Sequence, residues 1–375
     1  MKFSVERDVL ADAVAWVSRA VPARPPVPVL AGVRVVADSS GSVTLSSFDY
    51  EVSARSKFAA DVDSSGEALV SGRLLREIAN ALPHKLVSFS LDGTKVSVTC
   101  GASRFTLATM PVDQYPALPE QPQRSGVIDG AQLQQAVSQV TSAASRDETL
   151  PILTAVRMEI EGSNISLLAT DRYRLALREM TWKPSVSDVS SVALVRAKTL
   201  GETAKALGAG DVDLSLNEAS GVDLIGFAAG GLSTTSLLMD GDYPPVRRLF
   251  RDENPITAVV RTADLIEATR RVSLVAERNS SVRLAFAAGE VTLDAGQTDD
   301  AQASEALECT LDGEDITVAF NPSFLLDGLT ALSSEYVQFG FVQETKPVEF
   351  VGIDKPGGSV AAEFRYLLVP IRITS

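Results

Sequence analysis

The chain repeats itself at long range. SGRLLREIANAL ends at Leu82, VRAKTLGETAKAL at Leu207 and NPSFLLDGLTAL at Leu332; Leu75, Leu200 and Leu325 occupy one position, followed two residues later by Glu77, Glu202 and Asp327. The interval is about 125 residues both times, one third of the 375-residue chain. A second set, DVLADAVAWVSRAV, AQLQQAVSQVTSAA and ADLIEATRRVSLVA, aligns Leu10 with Leu133 and Leu265, then Ala13, Ala136 and Ala268, then Val17, Val140 and Val272. Apolar residues at i, i+3 and i+7 form one stripe, so these segments are expected to be amphipathic helices.

Between the helices the pattern alternates as strands do. SVTLSSFDYEVSA around Leu45 matches NISLLATDRYRLA around Leu167 and EVTLDAGQ around Leu293, and breaks such as SLDGTKV supply hairpin turns. Asp49 and Asp171 match in the first two. A residue that recurs in register across repeats reads as a turn former rather than as a catalytic acid. Each unit is then strand, helix, several strands, helix, several strands, an α+β module with a largely antiparallel sheet. Boundaries are expected near Pro119–Ser125 and Arg251–Pro255, giving modules 1–121, 122–252 and 253–375.

Chemistry is hard to place on this chain. It has no GxxxxGK[ST] or GxSxG pattern, no GxGxxG after a strand and no HExxH. His84 is the only histidine and stands after a proline in a loop-like stretch, so histidine acid–base catalysis has one poorly placed candidate. Cys100 and Cys309 are far apart, have no zinc spacing and read as buried thiols. No cofactor, metal or catalytic residue is expected, and a hydrolase with an unrecognised carboxylate site is the least favoured class. Glu6, Arg7 and Asp8 stand where a secretory signal needs apolar residues, and no apolar run reaches the roughly 20 residues of a membrane helix. A cytoplasmic protein without membrane partners is expected.

The formal net charge of −14 opposes binding to a polyanion unless the cations cluster. Arg73 and Arg76 lie on the second helix of the first repeat. Lys198 takes the place of Arg73 in the second, with Arg196 and Lys205 nearby; Arg270 and Arg271 are adjacent in the third. Gln132, Gln134, Gln135 and Gln139 give another helix a polar face without negative charge. The acidic excess falls in segments such as DVDSSGE, LDGEDIT and TDDAQASE. If the helices face one way, these cations form a surface for phosphates that reads no bases.

Several longer blocks go beyond pattern. MKFSVERDVL, ARPPVPVLAGV, SFDYEVSA, SRFTLATMP with YPALP, LATDRYRLAL, MDGDYPPVRRLF, VAFNPSFLLDGLTAL and YLLVPIRI together resemble the bacterial sliding clamp family along the whole chain. The resemblance implies three tandem DNA clamp (processivity fold) modules with antiparallel sheets outside and helices lining a central hole. It also implies a head-to-tail homodimeric ring around double-stranded DNA. Its partners would be a clamp loader complex, DNA polymerase III alpha, and other polymerases and repair proteins bearing clamp-binding motifs, in a cytoplasmic, nucleoid-associated setting. The ring itself would not be an enzyme.

By the same resemblance, Arg24, Arg73, Arg76, Arg146, Arg196 and Lys198 would contact DNA. A partner-peptide cleft would be built from Leu153, Thr170, Arg172, Tyr173, Arg174 and Leu175, from Pro244, Arg248 and Leu249, and from Asn321, Phe324, Val348, Leu367, Val369, Pro370, Ile371 and Arg372. Phe105 and Leu107 would meet Leu274 and Val275 of a second copy. The sequence departs from the family at Arg172–Tyr173, where a Gly-His pair is familiar; this bears on which peptides the cleft prefers. The alternative reading is a three-module peptide-binding scaffold that does not touch DNA.

Overall fold

In each third of the chain two amphipathic helices alternate with strands. The first third runs through strand Lys2–Glu6, helix α1 (Arg7–Val17), strands Gly32–Asp38, Ser42–Phe48, Val52–Ala59, Asp61–Ser64 and Gly66–Ser71, helix α2 (Gly72–Ala81), and strands Leu86–Asp92, Lys95–Cys100 and Ser103–Met110. The second has strand Arg124–Asp129, α3 (Gly130–Thr141), strands Ala155–Glu161, Asn164–Thr170, Arg174–Thr181, Lys183–Pro184 and Ser190–Arg196, α4 (Ala197–Leu207), and strands Asp211–Asn217, Leu224–Ala229 and Leu232–Leu237. The third has strand Ile256–Arg261, α5 (Thr262–Val272), strands Val282–Ala287, Gly289–Thr298, Ala301–Asp312 and Ile316–Phe320, α6 (Pro322–Leu332), and strands Tyr336–Phe341, Val348–Ile353 and Val360–Leu368. This computed structural model describes residues 1–217, 223–251, 253–276, 281–298 and 301–372. The expected boundary residue Asp252, Asp299 and Asp300 of the acidic stretch, and residues 373–375 lie outside them.

The helices form where the stripe and the caps agree. All nine stripe residues, Leu10 to Val272, are at most 3% exposed. The Asp129 carboxylate accepts from the Gln132 N–H at 2.8 Å at the start of α3. Asn321 Oδ1 caps α6 by accepting from Ser323 and Phe324 at 2.9 and 3.3 Å, with Pro322 in the first turn, where a missing N–H costs nothing. Ser333, in the left-handed region at φ 53°, ends α6.

All strand pairs among the described residues are antiparallel, and they assemble into two sheets of 14 and 12 strands, one in each of two compact units. The repeats and the units are out of step. The first sheet holds the first repeat and the strands Arg124–Asp129, Lys183–Pro184, Asp211–Asn217, Leu224–Ala229 and Leu232–Leu237 of the second. The second sheet holds Ala155–Thr181 and Ser190–Arg196 with the third repeat.

The join between repeats is the same in both sheets. In the first unit Val52, Ser53, Ala54, Arg55 and Ser56 pair with Ser236, Thr235, Thr234, Ser233 and Leu232. In the second, Arg174 to Arg178 pair with Leu368 to Phe364 in the same order. The core of the second unit is aromatic: Phe339 meets Phe350 with ring centres 4.7 Å apart, and Phe286, Phe341, Phe320 and Tyr366 surround them, each at most 1% exposed.

Candidate functional site

The second unit carries one concentrated polar and aromatic site, built on the hairpin between strands Asn164–Thr170 and Arg174–Thr181. Asp171 forms the turn, its Oδ1 accepting from the Tyr173 and Arg174 N–H groups, both at 3.0 Å. Asp49 does the same for Glu51 and Val52 at 2.9 and 2.6 Å. Both matched aspartates are turn formers, as their recurrence implies. Both turns hold the next residue in the left-handed region, Tyr50 at φ 77° and Arg172 at φ 80°, a conformation that favours glycine.

The two turns differ in the side chain that opens the second strand. In the first it is Val52; in the second it is Arg174, only 6% exposed. The Arg174 Nε donates to Asp171 Oδ2 at 2.9 Å and its Nη1 to Asp327 Oδ2 at 2.5 Å, and its guanidinium lies 4.2 Å from the Phe324 ring centre. Burial opposes this charge, but Tyr366, Asp327 and Asp171 outweigh it and raise the pKa above the ordinary arginine value. Tyr366 donates its hydroxyl to the Phe324 carbonyl at 3.0 Å, and burial pushes that hydroxyl's pKa up.

Around this cluster the cleft residues named from the sequence are tied together. The Thr170 N–H donates to the Tyr243 hydroxyl at 3.1 Å, drawing the segment of Pro244, Arg248 and Leu249 to the hairpin. Burial pushes the Tyr243 hydroxyl up to about 12. Tyr243 packs with Ile152, next to Leu153. The Val369 N–H donates to the Tyr173 carbonyl at 2.8 Å and the Ile371 N–H to Ala319 at 2.7 Å, strapping down Val369–Arg372. Tyr173 stacks on Phe324 with ring centres 6.2 Å apart.

The resulting surface has a buried floor of Leu153, Thr170, Leu175, Val348, Leu367 and Pro370, half-buried Pro244, Asn321 and Phe324, and an exposed rim of Arg172, Tyr173, Arg248, Leu249, Val369, Ile371 and Arg372. Four of these exposed side chains are apolar, Tyr173, Leu249, Val369 and Ile371, and three are arginines. Asn321 and Arg174 act as cap and clasp rather than as open lining. Tyr243, Tyr366, Asp327 and Leu368 complete the site without having been expected there. Tyr243 could have been found, because it lies within the block MDGDYPPVRRLF; nothing in the sequence signals that Tyr366 abuts Arg174.

The cations divide differently from expectation. Arg24, Arg73, Arg76, Arg146 and Lys198 are exposed, and Arg196 is half-buried at the end of its strand. Arg73 lies 3.1 Å from Glu77 one turn on, a fully solvated pair. Arg270 pairs with Glu267 at 2.7 Å and Arg271 with Glu305 at 2.5 Å, so the two arginines of α5 are offset by carboxylates. Gln139 is buried and donates to the Ala331 carbonyl at 2.8 Å; it belongs to the core, not to a polar face. The six helices still carry seven basic residues (Arg7, Arg73, Arg76, Lys198, Lys205, Arg270, Arg271) and seven acidic ones (Asp8, Asp12, Glu77, Glu202, Asp264, Glu267, Asp327). The whole excess of 14 negative charges therefore lies outside them.

Besides the end strands of the two sheets, two strands among the described residues pair fully on one side and only in part on the other. Strand Ser103–Met110 pairs along one side with Lys95–Cys100, but on the other only Thr109 and Met110 find a partner. Strand Ala301–Asp312 pairs along 301–309 with Gly289–Thr298, and on its other side only residues 310–312 pair. Phe105 is exposed on the first edge, whereas Leu107 is buried at 4% and packs within its own unit. Beside the second edge, Leu274 is 85% exposed and Val275 half-buried.

Comparison with known proteins agrees in all three thirds. Family models of the DNA polymerase III beta subunit match as its N-terminal domain over residues 1–119, its central domain over 127–245 and its C-terminal domain over 247–359. The beta sliding clamp of Streptomyces coelicolor is 51% identical over 376 residues, covering all of both chains. The solved sliding clamp of Bacillus subtilis superimposes over all of both chains with a TM-score of 0.90 at 26% identity. A Pseudomonas aeruginosa clamp bound to griselimycin superimposes as completely, with a TM-score of 0.90 at 25% identity.

Proposed function

The chain belongs to the DNA polymerase III beta subunit family, the beta sliding clamps, and from that premise we propose that two copies close into a ring that encircles double-stranded DNA and tethers polymerases to it. The observation that carries this reading is the two partly paired strands. Within the chain, the strand after each Asp turn joins the last strand of the next repeat in one fixed register. Applying that register to the unpaired edges sets Ser103 opposite Glu305, Phe105 opposite Ala303 and Leu107 opposite Ala301 of a second copy. Leu274 and Val275 flank this contact. Small alanines facing Phe105 and Leu107 leave room for the larger side chains. Two such joins use both partly paired strands of each copy and close the particle on itself.

The modules would span 1–121, 122–252 and 253–375, six in the closed particle, with the helices lining the hole. The neutral helices in an acidic chain support this orientation: Arg73, Arg76 and Lys198 on them, with Arg24, Arg146 and Arg196 outside them, would meet phosphates while the acidic strands and connections repel DNA elsewhere. Long cationic side chains grip phosphate without reading sequence, so the ring slides. Retention comes from topology rather than affinity. The ring carries out no reaction; a clamp-loader ATPase opens and places it in the cytoplasm, at the nucleoid.

The groove at Arg172–Leu175, Pro244–Leu249, Asn321, Phe324, Val348 and Leu367–Arg372 receives short motifs of DNA polymerase III alpha, other polymerases and repair proteins. Tyr173, where histidine is familiar, extends the stacking surface at its rim through Phe324.

Light scattering should give a particle of twice 39.7 kDa. Protein loaded on nicked circular DNA should persist through a salt wash and depart once the circle is cut. Equal loss from circles and linear DNA would favour a peptide-binding scaffold instead.

A further inference from the structure

A cavity of about 530 Å³ opens on the sheet of the second unit beside Arg247, Phe250, Arg251 and Asn254. Its floor is a cross-strand row, Leu177, Arg365 and Val351. The adjoining row is Leu175, Leu367 and Glu349. Leu175 and Leu367 belong to the groove, and Glu349 already lines the cavity. Leu175, Leu367 and the cavity floor therefore share one sheet face, a step of about 7 Å along each strand.

The cavity is built rather than incidental. Glu349 is 5% exposed and accepts from Arg365 Nε at 2.5 Å and Asn254 Nδ2 at 3.0 Å. The Arg365 guanidinium also lies 4.8 Å from the Phe250 ring centre. Arg247 is held by Glu159 at 2.8 Å and by Glu179. These pairs neutralise the walls. Arg251 stands apart: its carbonyl accepts from Arg365 Nη2 at 2.5 Å, but its exposed side chain has no carboxylate partner among the described residues. A floor of Leu177 and Val351 on either side of the paired Arg365, compensated walls and Arg251 in the lining suit a carboxylate carried on an aliphatic stem.

Building on the groove reading above, we propose that this cavity is a second pocket of the partner-peptide site, taking an acidic residue of the partner about two to four positions beyond those seated in the groove. Partners would then divide into short motifs that fill the groove alone and longer ones that also pair with Arg251.

The test uses fluorescence anisotropy with the full-length protein. The probes are a labelled groove-binding hexapeptide from a partner polymerase and the same peptide lengthened by four residues at either end, with Glu or Gln outermost. At one end the Glu peptide should bind about fivefold more tightly than the Gln peptide. Arg251→Glu should abolish that advantage and Arg251→Lys retain it, with the hexapeptide bound equally by all three proteins. Equal affinity of the Glu and Gln peptides at both ends, with the hexapeptide still bound, overturns the second pocket and leaves the groove intact. Hexapeptide affinity unchanged by Pro370→Ala with Ile371→Ala overturns the groove, and the pocket assignment falls with it.

Discussion

Asp49→Ala and Asp171→Ala remove the same turn from two repeats, yet they should differ sharply in cost. Each aspartate accepts two backbone N–H bonds, and losing them should cost about 1–2 kcal/mol at either position. At Asp49 nothing more is lost, because Val52 carries no charge. At Asp171 the buried Arg174 also loses its Nε partner. Removing one member of a buried pair costs about 3–5 kcal/mol. Asp327, 44% exposed, remains at 2.5 Å from Nη1 and still compensates part of the charge, so the lower end applies. The expected difference is about 3 kcal/mol, on the order of a hundredfold in local opening. Hydrogen exchange read by mass spectrometry on peptides spanning 47–53 and 169–175 measures both openings in one sample. Asp171→Asn should recover the turn but not the charge, falling between wild type and Asp171→Ala. Equal acceleration of the two peptides would refute the claim that the Asp171–Arg174 link stabilises the hairpin.

Single contacts set the other expected outcomes. A Cβ at Gly328 would lie 2.5 Å from Tyr366 Cε1, so Gly328→Ala should destabilise by about 1–2 kcal/mol despite alanine's helix preference, read as a lower urea midpoint. Burial pushes the Cys309 thiol up to about 11 from 9.0, while the unfolded chain ionises near the ordinary value. Its contribution is complete below pH 9 and lost as pH rises towards 11, so Cys309→Ala should flatten the stability profile in that window alone. Arg73→Glu with Lys198→Glu should shorten retention on circular DNA, leave peptide affinity unchanged and move the thermal midpoint little, because the Arg73–Glu77 pair is solvated.

The helices and the repeat were legible because burial of an apolar stripe fixes spacing in sequence. The Asp turns were legible because their hydrogen bonds are local, two and three residues along the chain. Long-range partnership was not. Gln139 has the composition of a surface residue, yet its amide finds a carbonyl 192 residues away. Leu107 and Phe105 lie on one strand, yet only Phe105 is exposed, which the motif alone did not say. The exposed apolar side chains Tyr173, Leu249, Val369 and Ile371 lie within the longer blocks, whereas the Tyr366–Arg174 neighbourhood depends on which strands lie side by side. That choice is made by edges and registers, which leave no period in the sequence.

The middle repeat divides its strands between the two sheets, so inherited unit and physical unit do not coincide. A fragment holding the middle repeat alone would carry severed ladders on both flanks. Recombination that swapped that repeat would have to match two foreign edges at once. Such a chain evolves most readily by changing loops and exposed side chains while its strand seams stay fixed.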